Sequence, residues 1–206
     1  MQRLLVLLCM SVMLSQAQAA DTKVIAAFGD SLTAGYGIAA EEAFPVQLEH
    51  KLVQDGFTVR VINDGISGDT TAGGLARIDT IVQQKPDLVI IELGGNDMLR
   101  GLPPEQTRRN LEGIVERFRQ AQINMLLVGQ QVPLSLSAPY AMAYNDVFSE
   151  VAASYHLSLY PFFLEGVYNK PGMMLPDGIH PTGQGVAVMV GNIAPLVESL
   201  IPPAKP

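Results

Sequence analysis

Short apolar runs alternate with longer amphipathic stretches from Lys23 to Leu200. Each run is almost continuously apolar, which is typical of strands that are buried on both faces of a parallel sheet. The predicted strands are Lys23–Phe28, Phe57–Ile62, Asp87–Leu93, Ile123–Gly129 and Leu157–Tyr160.

The stretches between these runs carry apolar residues at helical spacing. The predicted helices are Ala43–Gln54, Thr71–Gln84, Pro104–Ala121, Ala138–Tyr155 and Thr182–Leu200. Pro195 should bend the last helix or end it early, because proline lacks the N–H that a helix interior needs. Repeated strand–helix units predict an α/β fold in three layers, with a doubly wound, five-stranded parallel sheet between helices.

The first nineteen residues follow a different pattern. Arg3 precedes the mostly apolar run Leu4–Leu14, and the small-residue segment Ala17–Ala19 follows it. This order is typical of a secretory signal peptide, and the run is shorter than the ~20 residues that span a bilayer. A buried N-terminal helix is the alternative, but the run has no amphipathic period. We predict cleavage after Ala19, a single domain over residues 20–206, and a location in the periplasm or outside the cell.

Composition narrows the possible partners. The chain has 206 residues, of which 48% are hydrophobic, and 13 Lys and Arg stand against 20 Asp and Glu, a net charge of −7. This charge argues against a nucleic-acid partner. Cys9 is the only cysteine and lies in the predicted signal peptide, so the exported chain would have no disulfide and no cysteine nucleophile. We expect a monomer without a stable membrane anchor.

The segments that follow the predicted strands are polar and rich in glycine. They are Gly29–Leu32, Asn63–Thr70, Gly94–Asp97 and, before the last helix, Asp177–Pro181. Because ligands bind at the carboxyl ends of the strands in such sheets, these segments should meet at one functional edge.

Three of these residues predict nucleophilic catalysis. A serine hydroxyl needs a base, and His180 could take the proton of Ser31 while Asp177, three residues earlier, binds the other ring nitrogen. Taken alone, Ser31 is better explained as a turn cap, and Asp177 with His180 as a capping pair. Their shared edge favours the catalytic interpretation.

An acyl-transfer site also needs hydrogen-bond donors for the oxyanion. The backbone N–H groups of Ser31 and Gly68 and the side-chain amide of Asn96 are the candidates. Glycine and asparagine are also common turn residues, which is the alternative for Gly68 and Asn96.

Four ordered segments resemble one known family. GDSL at 29–32, ISGDT at 66–70, GGND at 94–97 and DGIHP at 177–181 are similar to the blocks of the GDSL, or SGNH, hydrolases, above all their bacterial periplasmic thioesterase, lysophospholipase and arylesterase subgroup. The resemblance covers nearly the whole predicted domain. It implies a flavodoxin-like fold, Ser31 as nucleophile, His180 as base, Asp177 orienting it, and Ser31, Gly68 and Asn96 as the oxyanion hole. It also implies fatty-acyl ester, thioester or lysophospholipid substrates and no cofactor or metal.

An acyl chain needs an apolar groove. The segment Pro161–Pro176 is a candidate wall through Phe162 and Phe163, and Gln130–Ser137 is a second. Met98 and Leu99, beside Asn96, could close over the substrate. The alternative is that Phe162 and Phe163 only cover the end of the sheet.

Three rival functions remain to be weighed. Gly35–Ala40 fits the dinucleotide pattern G-x-G-x-x-A, but it does not follow its strand directly, so we interpret it as a surface loop. Asp30, Asp97, Asp177 and His180 could serve a metal phosphoesterase, although one histidine at this edge is few for such a site. A periplasmic ligand-binding protein would need none of the serine, histidine and aspartate set.

Overall fold

The computed structural model describes residues 22–131 and 137–201. The predicted signal peptide, residues 1–19, lies outside the described residues, and so does most of the predicted wall over residues 130–137. Within the described ranges, no helix has the length and apolarity needed to cross a membrane.

In the described part of the chain, five parallel strands form one sheet, in the order β2-β1-β3-β4-β5. The strands are β1 Lys23–Gly29, β2 Val59–Gly65, β3 Leu88–Glu92, β4 Asn124–Val128 and β5 Ser158–Tyr160. The predicted doubly wound parallel sheet is therefore confirmed, with the strand order of flavodoxin-like folds. The predicted bounds of β2 were wrong at both ends: the strand begins at Val59 rather than Phe57, and Asn63–Gly65 ends it rather than opening a loop. Because β2 lies at the edge of the sheet, its end stays partly solvated and tolerates polar side chains.

Seven α-helices connect the described strands. They are α1 Ser31–Ala34, α2 Phe44–Gln54, α3 Thr71–Gln84, α4 Gly95–Leu99, α5 Pro104–Gln120, α6 Ala138–Tyr155 and α7 Gly183–Leu200, with a 3₁₀ turn at Ala40–Glu42. The short helices α1 and α4 were not predicted. Helix α7 does not end early at Pro195. Pro195 is exposed, so the carbonyl of Gly191, which its missing N–H leaves without a helical partner, can bond to water.

Two apolar cores lie on opposite faces of the sheet. Along β1, Ile25 and Ala27 pack toward α2 and α7, whereas Ala26 and Phe28 pack toward α3, α5 and α6. This alternation follows from the two-residue period of a strand. Helices thus cover both faces of the sheet, and the carboxyl ends of the strands remain open to a ligand.

The carboxyl ends of β1, β2 and β3 are in register. Gly29 of β1 pairs with Gly65 of β2 on one side and with Glu92 of β3 on the other. A Cβ atom on Gly65 would lie 2.4 Å from the backbone nitrogen of Ala34. Glycine at this strand end therefore lets α1 approach the sheet closely.

Candidate active site

Ser31 is the first residue of α1 and lies two residues beyond the end of β1, a strand that pairs with β2 on one side and β3 on the other. Asp30 caps this helix, because its Oδ1 accepts a hydrogen bond from the N–H of Leu32 at 3.0 Å. The helix ends after one turn at Gly35, which adopts a left-handed conformation with φ 83°. The turn therefore holds the serine at the edge of the sheet.

The predicted trio of side chains is brought together. The Oγ of Ser31 lies 2.8 Å from Nε2 of His180, and Nδ1 of His180 lies 2.7 Å from Oδ2 of Asp177. The other carboxylate oxygen of Asp177 accepts from the N–H groups of Ile179 and His180. The hydrogen bond from His180 and these backbone N–H groups lower the pKa of Asp177 to about 2, so its carboxylate is charged at neutral pH.

Two backbone hydrogen bonds close the loop that carries His180. The N–H of Leu175 donates to the carbonyl of His180 at 2.8 Å, and the N–H of Thr182 donates to the carbonyl of Met173 at 2.9 Å. The loop then runs into α7, whose first turn Thr182 caps. These backbone hydrogen bonds therefore hold the loop of His180 in place next to Ser31.

The three predicted oxyanion donors all line one cavity. Among the described residues, none accepts a hydrogen bond from the backbone N–H of Ser31 or of Gly68. The amide of Asn96 is different, because its Nδ2 donates to Oδ2 of Asp30 at 3.0 Å and to the carbonyl of Asp69 at 2.9 Å. Both hydrogens of this amide are engaged, which the sequence did not indicate.

A pair of buried acids lies beneath the serine. Glu92 is fully buried, and its carboxyl group accepts from the hydroxyl of Thr33, the N–H of Asp30 and the amide of Gln130. Burial raises the pKa of Asp30 to about 6, and burial together with the neighbouring Asp30 raises the pKa of Glu92 well above its usual range. Glu92 was not predicted as a site residue, although an acid at the end of an otherwise apolar strand was a signal.

Arg77 of α3 holds the strand ends together. Its guanidinium donates to the carbonyls of Gly29 and Asp64, each at 3.0 Å, and to the carboxylate of Asp69 at 2.7 Å. It also lies over the ring of Phe28, 4.4 Å from the ring centroid. One side chain therefore links β1, β2 and the loop that carries Gly68.

A cavity of about 510 Å³ opens beside Ser31 and His180. Met98, Leu99 and Phe162 line it, as predicted. The prediction for Phe163 was wrong: its side chain is fully buried in the core and packs edge-on against Phe44. The predicted walls also contribute Gln130, Gln131, Leu164 and Tyr168 to the lining. Leu32, Tyr36 and Ile179 line the cavity as well and were not predicted to do so.

Asp97, one of the four residues considered for a metal site, is engaged away from Asp177 and His180. Asp97 is buried and accepts hydrogen bonds from Thr71 and Thr107, so it joins α4 to α3 and α5. No group of three or more His, Cys, Asp or Glu side chains in the described part of the chain is arranged to hold a metal ion. Of the other histidines, His50 is exposed on α2 and His156 caps the carboxyl end of α6.

Comparison with known proteins finds close relatives along the whole described chain. Residues 27–188 match the model of the GDSL-like lipase/acylhydrolase family. Esterase TesA of Pseudomonas aeruginosa is 40% identical over 98% of this chain and 100% of its own length. An arylesterase of Vibrio mimicus is 41% identical over 82% and 84% of the two chains. The thioesterase 1/protease 1/lysophospholipase L1 of Escherichia coli K12 is 37% identical over 90% and 88%.

The fold agrees with these sequence matches. The crystal structure of TesA superimposes with a TM-score of 0.83 at 40% identity, over 86% of this chain and 99% of that one. The family match spans the strand ends and the loops that bring Ser31, Gly68, Asn96 and His180 to one cavity. The chain belongs to the GDSL-like lipase/acylhydrolase family.

Proposed function

We propose that the protein is a serine esterase that hydrolyses fatty-acyl esters and thioesters. The observation that carries this proposal is the unbroken hydrogen-bonded series Ser31, His180 and Asp177 at the mouth of a largely apolar cavity. The relatives support it, since they are named esterase, arylesterase and thioesterase/lysophospholipase.

In the proposed reaction, His180 accepts the hydroxyl proton of Ser31 as Oγ attacks the acyl carbonyl. Asp177 stays charged and holds Nδ1–H of the imidazolium. The oxyanion receives hydrogen bonds from the backbone N–H groups of Ser31 and Gly68 and from the amide of Asn96.

Collapse of the tetrahedral intermediate breaks the bond to the alcohol or thiol, which leaves with the proton from His180. Water then attacks the acyl-enzyme, and His180 takes the proton of the water and returns it to Ser31. The fatty acid leaves, and the enzyme is regenerated without a cofactor.

The cavity favours a substrate with an acyl chain. Phe162, Met98 and Leu99 offer apolar surface next to the nucleophile. We propose that the acyl chain lies against these side chains and that the alcohol or thiol faces the solvent. Phe162 would then contribute to chain-length preference, whereas Phe163 would contribute only to stability.

We also propose that residues 1–19 direct export and are removed. Loss of Arg3 leaves 12 Lys and Arg against 20 Asp and Glu, a net charge of −8. Acyl-CoA is a cytosolic anion, which such a protein would repel at long range. Lysophospholipids or short esters are therefore the proposed natural substrates, and acyl-CoA is proposed as a substrate in vitro.

The test uses Ser31→Ala. This variant should lose labelling by a fluorophosphonate and lose roughly 10⁴- to 10⁶-fold in the rate of p-nitrophenyl ester hydrolysis. Ser199→Ala on α7 is the matched control and should keep both, because the hydroxyl of Ser199 donates to the carbonyl of Leu196 in its own helix. A Ser31→Ala protein with near-normal esterase activity would refute the assignment, and a wild-type protein that is neither labelled nor active would favour a ligand-binding role.

A further inference from the structure

The ring of Tyr36 lies against the imidazole of His180. The two ring centroids are 4.6 Å apart and the ring planes are tilted by 40°. This is the range in which aromatic rings attract each other and in which a cation is attracted to an aromatic face. The contact therefore involves the side chain that must become positively charged during acyl transfer.

The backbone fixes the place of Tyr36. The carbonyl of Ser31 accepts hydrogen bonds from the N–H groups of both Gly35 and Tyr36, at 3.2 and 3.1 Å, so the chain folds back at the end of α1. Gly37 has φ 78°, and a Cβ atom there would lie 2.7 Å from Cδ1 of Leu175. The loop of Tyr36 is thus pressed against the loop that carries Asp177 and His180.

Burial in the core does not explain an aromatic residue at this position. Tyr36 is 54% exposed. His180 is nevertheless well covered, since its side chain is 14% exposed, compared with 37% for Asp177 in the same turn. The Tyr36 ring is part of this cover, and among the described residues none is hydrogen-bonded to its hydroxyl.

We infer that Tyr36 is a positioning residue that holds the imidazole of His180 toward Ser31 and stabilises its cationic form through the aromatic face. The inference rests on the proposed esterase function. The charged groups near the imidazole are Asp177, bonded to Nδ1, and Asp30, beside Ser31. Tyr36 covers the ring without adding a further charge. Since the hydroxyl has no described partner, the aromatic ring is the part that matters.

The test compares Tyr36→Leu with Tyr36→Phe on p-nitrophenyl acetate, whose acyl group is too short to fill the cavity. Acylation and deacylation both pass through the imidazolium form of His180. Tyr36→Leu should therefore lower kcat about 3- to 10-fold with KM changed less than about 2-fold. Tyr36→Phe keeps the ring and should stay within about 2-fold of wild type. Fluorophosphonate titration corrects each rate for the active fraction.

A cavity aromatic that packs elsewhere provides the comparison. Tyr168 lines the same cavity and packs against Phe162, with ring centroids 6.3 Å apart. Tyr168→Leu should act mainly on KM for a p-nitrophenyl decanoate substrate. An equal loss of kcat on the acetyl ester in Tyr168→Leu and Tyr36→Leu would overturn the inference, because any cavity aromatic would then suffice.

Two further results would also overturn it. One is a Tyr36→Leu enzyme with wild-type kcat and a changed KM for the decanoyl ester alone, which is the behaviour of a simple cavity wall. The other is a Tyr36→Phe enzyme as slow as Tyr36→Leu, which would assign the effect to the hydroxyl. A wild-type protein that hydrolyses no ester would instead remove the proposed function, so the two failures are distinguishable.

Discussion

The side-chain amide of Asn96 has two hydrogens and two acceptors, the Asp30 carboxylate and the Asp69 carbonyl. An oxyanion at Ser31 would have to share one of these hydrogens. The arrangement has a benefit, because an amide already held on both sides needs no reorientation when charge develops. The two hydrogen bonds that engage the Asn96 amide thus also hold it in the orientation that its proposed role requires.

Replacement of Asn96 by alanine should lower kcat by about 10²- to 10³-fold and leave KM nearly unchanged, because the proposed bond forms only in the transition state. The rate is measured per active site after fluorophosphonate titration. Asn192→Ala on α7, which removes a bond to the carbonyl of Glu165, is the control. A reduced titre with normal kcat per titrated site would show that Asn96 only shapes its turn.

The buried carboxyl group of Asp30 predicts a pH dependence of stability. Its folded-state pKa of about 6 exceeds the unfolded value of 3.8, so the folded protein binds more protons between these values. The free energy of unfolding should therefore fall by about 3 kcal/mol at most as the pH rises from 4 to 7, and this part of the fall should be absent in Asp30→Asn. Urea denaturation of both proteins at each pH provides the measurement. Parallel pH profiles would contradict the prediction.

Site residues that stand in a recognisable sequence motif were predictable. Residues whose place in the site depends only on tertiary packing were not. Ser31, Asp177 and His180 stood in recognisable segments, and the structure places them in contact. Phe162 and Phe163 are neighbours of one type in the sequence. Which of them faces the cavity depends on how the segment leaves β5. Tyr36 carried no signal, since its contact partner lies in a distant loop.

Helix α3 illustrates why an element can matter beyond its packing face. The guanidinium of its Arg77 donates hydrogen bonds to the carboxyl ends of β1 and β2 and to the loop that carries Gly68. The side chain is mostly buried, so its loss would leave two carbonyls and one carboxylate without these bonds. The stability of the element and the shape of the site thus depend on the same guanidinium.

Arg77→Met should accordingly lower the free energy of unfolding by about 2 to 4 kcal/mol, since it leaves buried acceptors unpaired. Arg117→Met is the matched control, because Arg117 pairs with the exposed Asp79 and such pairs contribute ~0–1 kcal/mol. Urea denaturation at neutral pH compares the two variants. An equal loss of unfolding free energy in the two variants would mean that Arg77 contributes no more to stability than an exposed ion pair does.

Long elements were predictable and short ones were not. The boundaries of α3 and α6 agree with the apolar period, which repeats over several turns. Helices α1 and α4 have four and five residues, too few for any period to be visible. Asp30 caps α1, whereas α4 has no side-chain cap and is held by the tertiary hydrogen bonds of Asn96 and Asp97. These two short helices carry Ser31 and Asn96. The elements hardest to predict are therefore the ones that position the proposed chemistry.

For the whole molecule, the repeat pattern predicted the sheet but not the order of its strands. Strands β1, β3 and β4 are buried on both faces, so the apolar pattern does not say which strand lies beside which. The order β2-β1-β3 places the carboxyl ends of these three strands side by side, and those ends carry glycine or acidic residues. The position of the site follows from that order.

Esterase activity should survive dialysis against EDTA, because the proposed reaction uses only side chains and backbone groups of the chain. The assay compares p-nitrophenyl ester hydrolysis before and after chelation. Loss of activity that returns on addition of Zn²⁺ or Mg²⁺ would favour the metal phosphoesterase instead.

Ser31 and His180 are separated by 149 positions along the chain. During synthesis the proposed nucleophile emerges well before its proposed base, which directly precedes α7. Until His180 has been made and has packed against it, Ser31 lacks this base, and an unassisted hydroxyl is a weak nucleophile. Under the proposed function, a nascent chain that has not yet reached His180 is therefore inert toward esters.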